Sequence, residues 1–109
     1  MEFCKVDGRS IDYSKIPKNC KYMEKAFRQY LEYGNKPGGF ASCLLSNDLR
    51  GAVHRADPDN LESILEWVDW ITFEIPSESH GSKDKFDSWI KNCGARGLYS
   101  KPFIKLEVK

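Results

Sequence analysis

The sequence predicts a mainly helical α+β domain, with four to five short helices and a small antiparallel sheet. Apolar residues recur at helical spacing through residues 17–93, which predicts the helical core. A turn signal within residues 2–13 and alternation over residues 103–109 predict the strands. The chain has 109 residues, a length typical of one domain, so we expect a single domain spanning 1–109.

The predicted sheet is built from the two ends of the chain. Glu2–Val6 and Arg9–Tyr13 flank Asp7-Gly8, a pair that is favoured in two-residue hairpin turns. Near the other end, three apolar residues alternate with charged ones, as in a half-buried strand: Ile104, Leu106 and Val108. An isolated hairpin is marginally stable in water, so we expect this strand to pair with the hairpin.

The first predicted helix begins at Pro17, which suits a first helical turn, and Gly34 suits the position after its last turn. The next helix is expected from Phe40. Its apolar face drifts around the helix axis, which indicates a break at Asn47-Asp48. Asp48 is then expected to cap a further short helix.

The longest predicted helix spans residues 58–75, with Asp57 as its N-cap and Pro58 in its first turn. Its apolar residues at 3.6-residue spacing form the expected core stripe: Leu61, Ile64, Leu65, Val68, Ile71 and Ile75. Ser82 is expected to cap a last helix, which ends at the glycines Gly94 and Gly97.

The formal net charge of +1 is the sum of unlike blocks. Residues 1–37 contribute +3, residues 38–82 contribute −6 and residues 83–109 contribute +4. The longest apolar run is far short of the ~20 residues that a membrane span needs. No signal-peptide pattern is present at the start of the sequence, so we expect a cytosolic protein.

No cofactor or metal site is expected from the sequence. The four cysteines include no Cys-x-x-Cys pair, and only His54 and His80 are present to support them as ligands. Without an export signal we expect the thiols to be reduced. The sequence also lacks a phosphate-binding glycine loop and the common hydrolase motifs.

The predicted helix 58–75 carries acidic and aromatic side chains beside its core stripe. These residues form the candidate partner-binding site: Glu62, Glu66, Asp69, Trp70 and Phe73. Exposed aromatic residues are frequent anchors in protein interfaces. The alternative interpretation is that the sheet or a terminal segment of the chain covers Trp67, Trp70 and Phe73, so that they belong to the core.

A second hypothesis places nucleic acid on the first helix. Its basic residues recur at spacings of three and four and would neutralise phosphates: Lys18, Lys21, Lys25 and Arg28. The same spacing is also typical of an ordinary solvated helix face. A basic stripe on one copy can also meet an acidic stripe on another, which predicts weak self-association.

A third hypothesis is a small enzyme that uses Asp48, His54 and Arg55. Histidine is a common acid or base, and arginine binds anions. The alternative interpretation of the same residues is a helix cap, a structural ion pair and a surface histidine.

Several strings between residues 27 and 91 resemble small uncharacterised proteins encoded by tailed phages and prophages. The strings are Pro37-Gly38-Gly39-Phe40, Leu45-Ser46-Asn47-Asp48-Leu49, Ala52 and Arg55-Ala56-Asp57. The resemblance implies expression in the cytoplasm of a bacterial host cell. By analogy of class, it implies a non-enzymatic module that binds a host protein of defence or transcription machinery and inhibits or modulates it.

Overall fold

The computed structural model of the chain describes residues 11–99, and over this range the fold consists of helices. The α-helices are α1 (Glu24–Tyr33), α2 (Gly39–Leu45), α3 (Leu49–Arg55), α4 (Pro58–Glu62), α5 (Ile64–Glu74), α6 (Lys83–Lys91) and α7 (Gly94–Tyr99). Short 3-10 helices are present at Tyr13–Lys15, Lys18–Met23 and Ser77–Ser79. No helix within the described residues is long and apolar enough to cross a membrane.

The predicted α+β class is wrong, because residues 11–99 form an all-α fold without a strand. Asp12 Oδ1 accepts the backbone N–H of Ser14 at 3.0 Å and begins the 3-10 helix Tyr13–Lys15. This turn bends the chain where the second strand of the hairpin was expected to end. Residues 2–10 of the hairpin and the strand at 103–109 lie outside the described residues.

Helix α1 ends at Tyr33, and the next residue, Gly34, has a left-handed backbone with φ +76°. The segment before it, Lys18–Met23, is a 3-10 helix with a non-helical residue at Cys20. The first predicted helix is therefore interrupted at Cys20, and it is regular α-helix only from Glu24 onward. The inward residues of α1 are Phe27, Tyr30 and Leu31, which are fully buried.

The predicted break between α2 and α3 is present at Asn47-Asp48. Asn47 has φ +65°, a left-handed conformation that asparagine tolerates better than most residues. The Asp48 side chain then accepts the backbone N–H of Gly51 at 3.0 Å and caps α3.

The predicted helix 58–75 is divided at Ser63, whose φ and ψ of −102° and 18° separate α4 from α5. Its buried side is not the expected one, because Leu61, Leu65 and Val68 are 45%, 71% and 41% exposed. Of the expected core stripe, Ile71 and Ile75 are buried and Ile64 is half-buried. The inward positions of α4 and α5 are Asn60, Ser63, Trp67, Trp70 and Ile71.

Aromatic packing and hydrogen bonds to indole N–H groups explain this choice of side. The Trp67 ring stacks on Phe27 with 4.8 Å between centroids, and Trp70 meets the Phe27 edge at 5.3 Å. Burying two indoles removes more apolar surface from water than burying two leucines. Trp67 Nε1 donates to Asn60 Oδ1 at 2.9 Å, so the polar edge of the ring is also satisfied.

The last predicted helix corresponds to α6, which ends at Lys91, and a further helix that the sequence does not predict, α7, begins at Gly94. Cys93 and Gly94 both have positive φ, at 64° and 69°, which reverses the chain and brings α7 against α1. A Cβ placed on Gly34 would lie 2.7 Å from the backbone nitrogen of Gly94. Helices α1 and α7 can therefore approach this closely only because residues 34 and 94 are both glycine and carry no Cβ.

Candidate functional site

The outward side of α4 and α5 carries two adjacent rows of exposed side chains. The apolar row consists of Leu61, Leu65 and Val68, and the acidic row consists of Glu62, Glu66 and Asp69. Both rows follow from helical spacing, since each places residues three or four positions apart. Phe73 extends the acidic row by one turn and is 65% exposed.

The structure keeps four of the five candidate partner-binding residues on the surface. Glu62, Glu66, Asp69 and Phe73 are exposed. Trp70 is 2% exposed, and its Nε1 donates to the backbone oxygen of Asp12 at 3.0 Å. The indole of Trp70 is therefore a core group, and the aromatic group that this surface offers a partner is Phe73.

A shallow depression of about 270 Å³ connects these residues. Glu66, Asp69, Trp70 and Phe73 line it. The ion pair between Lys15 Nζ and Glu74 Oε2, at 3.3 Å, closes its edge. The lining of this depression therefore combines two aromatic side chains with three carboxylates and one lysine.

A second cavity, of about 110 Å³, lies on the other flank of α5, beside the apolar row. We call it the α3–α5 groove. The residues that matter for its shape and chemistry are Leu44, Asp48, Leu49, Val68, Ile71 and His80. Leu49 is 64% exposed, so both banks of the groove present apolar surface to solvent. The groove is smaller than typical ligand pockets and partly apolar. It is therefore better suited to a few side chains of a partner protein than to a large ligand.

His80 stands at one end of the α3–α5 groove. Its Nε2 atom is buried and forms no hydrogen bond to any residue that the structure describes. Burial lowers the pKa of His80, and the charge of Lys85 lowers it further. The imidazole is therefore neutral near pH 7. The next residue, Gly81, donates its N–H to Leu45 O at 2.9 Å and ties this loop to α2.

The basic residues of the nucleic-acid hypothesis do not share one environment. Lys18 lines a depression with Glu62 and Glu66, whereas Lys25 lines a different one. Arg28 lies over the Tyr13 ring at 4.1 Å from its centroid and binds Glu24 Oε2 at 2.8 Å.

Lys21 Nζ donates to Ser14 O at 2.8 Å. The non-helical residue Cys20 separates Lys18 from the regular helix that contains Lys25 and Arg28. The expected continuous basic stripe is therefore interrupted, and part of its charge is neutralised locally.

The three residues of the enzyme hypothesis lie in different environments. Asp48 caps α3 and lines the α3–α5 groove. His54 and Arg55 are exposed and are not among the residues that line this groove. Arg55 Nη1 donates to Gly51 O at 3.4 Å, which is a contact within α3. The described geometry supports a cap and surface side chains at these positions.

Each of the three candidate caps accepts a backbone N–H. Asp48 Oδ1 accepts from Gly51, Asp57 Oδ1 accepts from Asn60 at 2.8 Å, and Ser82 Oγ accepts from Lys85 at 3.1 Å. Asp57 Oδ2 also accepts the Tyr22 hydroxyl at 2.6 Å. These bonds set where α3, α4 and α6 begin, and so they place the two rows on α4 and α5.

The described residues do not assemble a group of three or more histidine, cysteine or acidic side chains that would hold a metal ion. Cys20 is fully buried, and burial raises the pKa of its thiol. A raised pKa keeps the thiol protonated, which disfavours both nucleophilic attack and metal binding.

Sequence reasoning did not find the α3–α5 groove, because Leu61, Leu65 and Val68 were assigned to the core. One signal was available: the helix 58–75 has apolar residues on more than one side, and only one side can face the core. The groove itself depends on Leu49 and His80, which are distant from Val68 in sequence. Comparison of the chain with protein-family models, with curated proteins and with solved structures finds no match.

Proposed function

We propose that this chain is a non-enzymatic module that binds another protein through the outward side of α4 and α5. The observation that carries the proposal is the exposure of large apolar side chains in one region. Leu65 and Phe73 are 71% and 65% exposed, and Leu49, Leu61 and Val68 are between 41% and 64% exposed. Concentrated exposed apolar surface with a polar rim is typical of protein interaction sites.

The charge of the same region favours a protein partner over a nucleic acid. The acidic row would repel phosphates, whereas a basic protein surface would be attracted to it. Carboxylates beside apolar anchors also supply the combination of specificity and affinity that protein interfaces use. The proposed partner is a host protein in a bacterial cell, such as a component of defence or transcription machinery, which the bound module would inhibit or modulate.

Affinity capture tests this function. A tagged wild-type chain is incubated with bacterial lysate, and each captured protein is identified and then purified. The double variant Phe73→Ala/Asp69→Lys should no longer bind the purified partner. The matched control, Asp84→Lys/Tyr33→Ala, makes the same two kinds of change at exposed residues of α6 and α1 and should retain it. Equal binding by all three proteins would contradict the proposal.

A further inference from the structure

The α3–α5 groove is lined by apolar side chains of α2, α3 and α5 and by several polar residues. Leu44, Leu49, Val68 and Ile71 line it together with Asp48, Thr72 and His80. Val53, one turn after Leu49, is 38% exposed and extends the α3 bank. Leu65 extends the α5 bank by a spacing of three, and Leu61, which is also exposed, lies beyond the break on α4. The exposed apolar surface is therefore elongated along the two helices.

The α5 residues that line the groove are uncharged, and the acidic row lies beyond the apolar row on the exposed side of α4 and α5. No residue that the structure describes forms an ion pair with Glu62, Glu66 or Asp69. On the α3 side Asp48 lines the groove, and the exposed cation Arg50 is not among the lining residues. An occupant that matches the acidic row therefore carries its own cations on the edge facing α5.

His80 does not alter this charge pattern. Burial keeps its pKa below the ordinary histidine range, so the ring is neutral near pH 7 and does not repel a cationic occupant. The other titratable groups near the groove are Asp48, which lines it, and Lys85, which contributes to lowering the pKa of His80. The Asp48 carboxylate adds to the negative character of the groove.

We infer that the α3–α5 groove binds an amphipathic helix of a partner protein, whose apolar side chains lie between Leu49 and Val68 and whose lysine or arginine side chains face Asp69. This inference rests on the proposed function and specifies the chemistry of the partner. An amphipathic helix suits the site because its apolar stripe and charged edge match the apolar lining of the groove and the acidic row beyond it. A second copy that used the same surface would bring two acidic rows into one interface, which the charges disfavour.

Two synthetic peptides provide the probe. Both are amphipathic helices with the same leucine face, and they differ in one edge, which carries lysines in one peptide and glutamates in the other. Titration of the full chain is followed by the methyl NMR signals of Leu49, Leu65 and Val68. We expect the lysine peptide to shift these signals and to bind at least about tenfold more tightly than the glutamate peptide.

Single variants locate the bound peptide. Leu49→Ser removes apolar surface from the α3 bank and Asp69→Lys reverses one charge of the acidic row. Each should weaken the lysine peptide by about fivefold or more. Asp84→Lys, an equal charge reversal on α6, should leave its affinity unchanged. Thermal unfolding of each variant confirms that it is folded before its affinity is compared.

Several outcomes would overturn the inference. Equal affinity for both peptides would contradict the role of charge, and an unaffected Leu49→Ser variant would place the peptide outside the groove. Groove signals that change with protein concentration alone would assign the surface to a second copy. Contacts in the free protein between these methyl groups and residues 100–109 would show that the chain fills its own groove.

The same data separate this inference from the proposed function. If the peptides do not bind but Phe73→Ala/Asp69→Lys still loses a purified partner, the function stands and the helical occupant is wrong. If the lysine peptide binds as expected but the double variant Phe73→Ala/Asp69→Lys still captures the partner, the groove binds an amphipathic helix and the proposed function is wrong.

Discussion

Trp67 donates its indole N–H to Asn60 Oδ1 at 2.9 Å, across the break between α4 and α5. Both side chains are buried, with Trp67 fully covered and Asn60 3% exposed. The amide therefore satisfies a polar group that the core would otherwise leave unpaired. This bond fixes the side of α4 that faces inward, and it thereby turns Leu61 toward solvent.

The first prediction follows from this bond. Asn60→Ala leaves the Trp67 N–H without its acceptor, which should lower the free energy of unfolding by about 1–3 kcal/mol. Urea unfolding monitored by tryptophan fluorescence measures the change. Asn35→Ala is the control, because the Asn35 amide bonds Gln29 at an exposed site and its loss should cost less than about 0.5 kcal/mol. Equal losses would mean that the buried bond has no special weight.

The second prediction tests which side of α5 is the core. Trp70→Ala should lower the free energy of unfolding by about 3–5 kcal/mol, because it empties a buried site. Leu65→Ala and Phe73→Ala remove exposed side chains and should each cost less than about 1 kcal/mol. Chemical denaturation of the three variants gives the comparison. A large loss for Leu65→Ala together with a small one for Trp70→Ala would restore the core stripe expected from the sequence.

Local signals were sufficient to predict where several helices begin. The caps Asp48, Asp57 and Ser82 each bond a backbone N–H three residues along the chain. Such bonds depend on a few consecutive residues, so composition and spacing predict them directly. Helical spacing also depends on nearby residues only. It therefore placed four of the candidate partner-binding residues on one exposed side: Glu62, Glu66, Asp69 and Phe73.

Long-range packing decided the features that the sequence did not predict. The Trp70 N–H finds its acceptor at Asp12, 58 positions away, and no local pattern shows that this partner exists. The side of α4 and α5 that faces the core is the one on which the indole N–H groups of Trp67 and Trp70 find hydrogen-bond acceptors. Likewise, Gly94 resembles a helix stop in sequence, but its positive φ turns the chain into α7 against α1.

The third prediction concerns the contact between α1 and α7. Gly34→Ala requires a side chain at φ +76° and places a Cβ 2.7 Å from the Gly94 nitrogen. The backbone conformation alone should cost about 1–3 kcal/mol, and the displaced α7 adds to it. Gly38→Ala is the control, since nothing lies within 4 Å of its Cβ and the expected change is below about 1 kcal/mol. Thermal unfolding of both variants should show a large shift for Gly34 alone.

The fourth prediction concerns pH and the Tyr22–Asp57 pair. The hydroxyl of Tyr22 and the backbone N–H of Asn60 both donate to the Asp57 carboxylate, which lowers the pKa of Asp57. A lowered pKa in the folded state means that this group stabilises the protein above its unfolded pKa of about 3.9. The stabilisation should be lost as the pH falls through the lower pKa of the folded state.

Tyr22→Phe removes the stronger of these donors and should raise the pKa of Asp57 toward its ordinary value. Carboxyl NMR titration between pH 2 and 6 measures it directly. The control is Tyr33→Phe, because Tyr33, at the end of α1, is also exposed and is not among the groups that shift the pKa of Asp57. A carboxyl pKa that is identical in wild type and Tyr22→Phe would show that the hydroxyl does not act on Asp57. In that case the backbone N–H of Asn60 alone would account for the capping of α4.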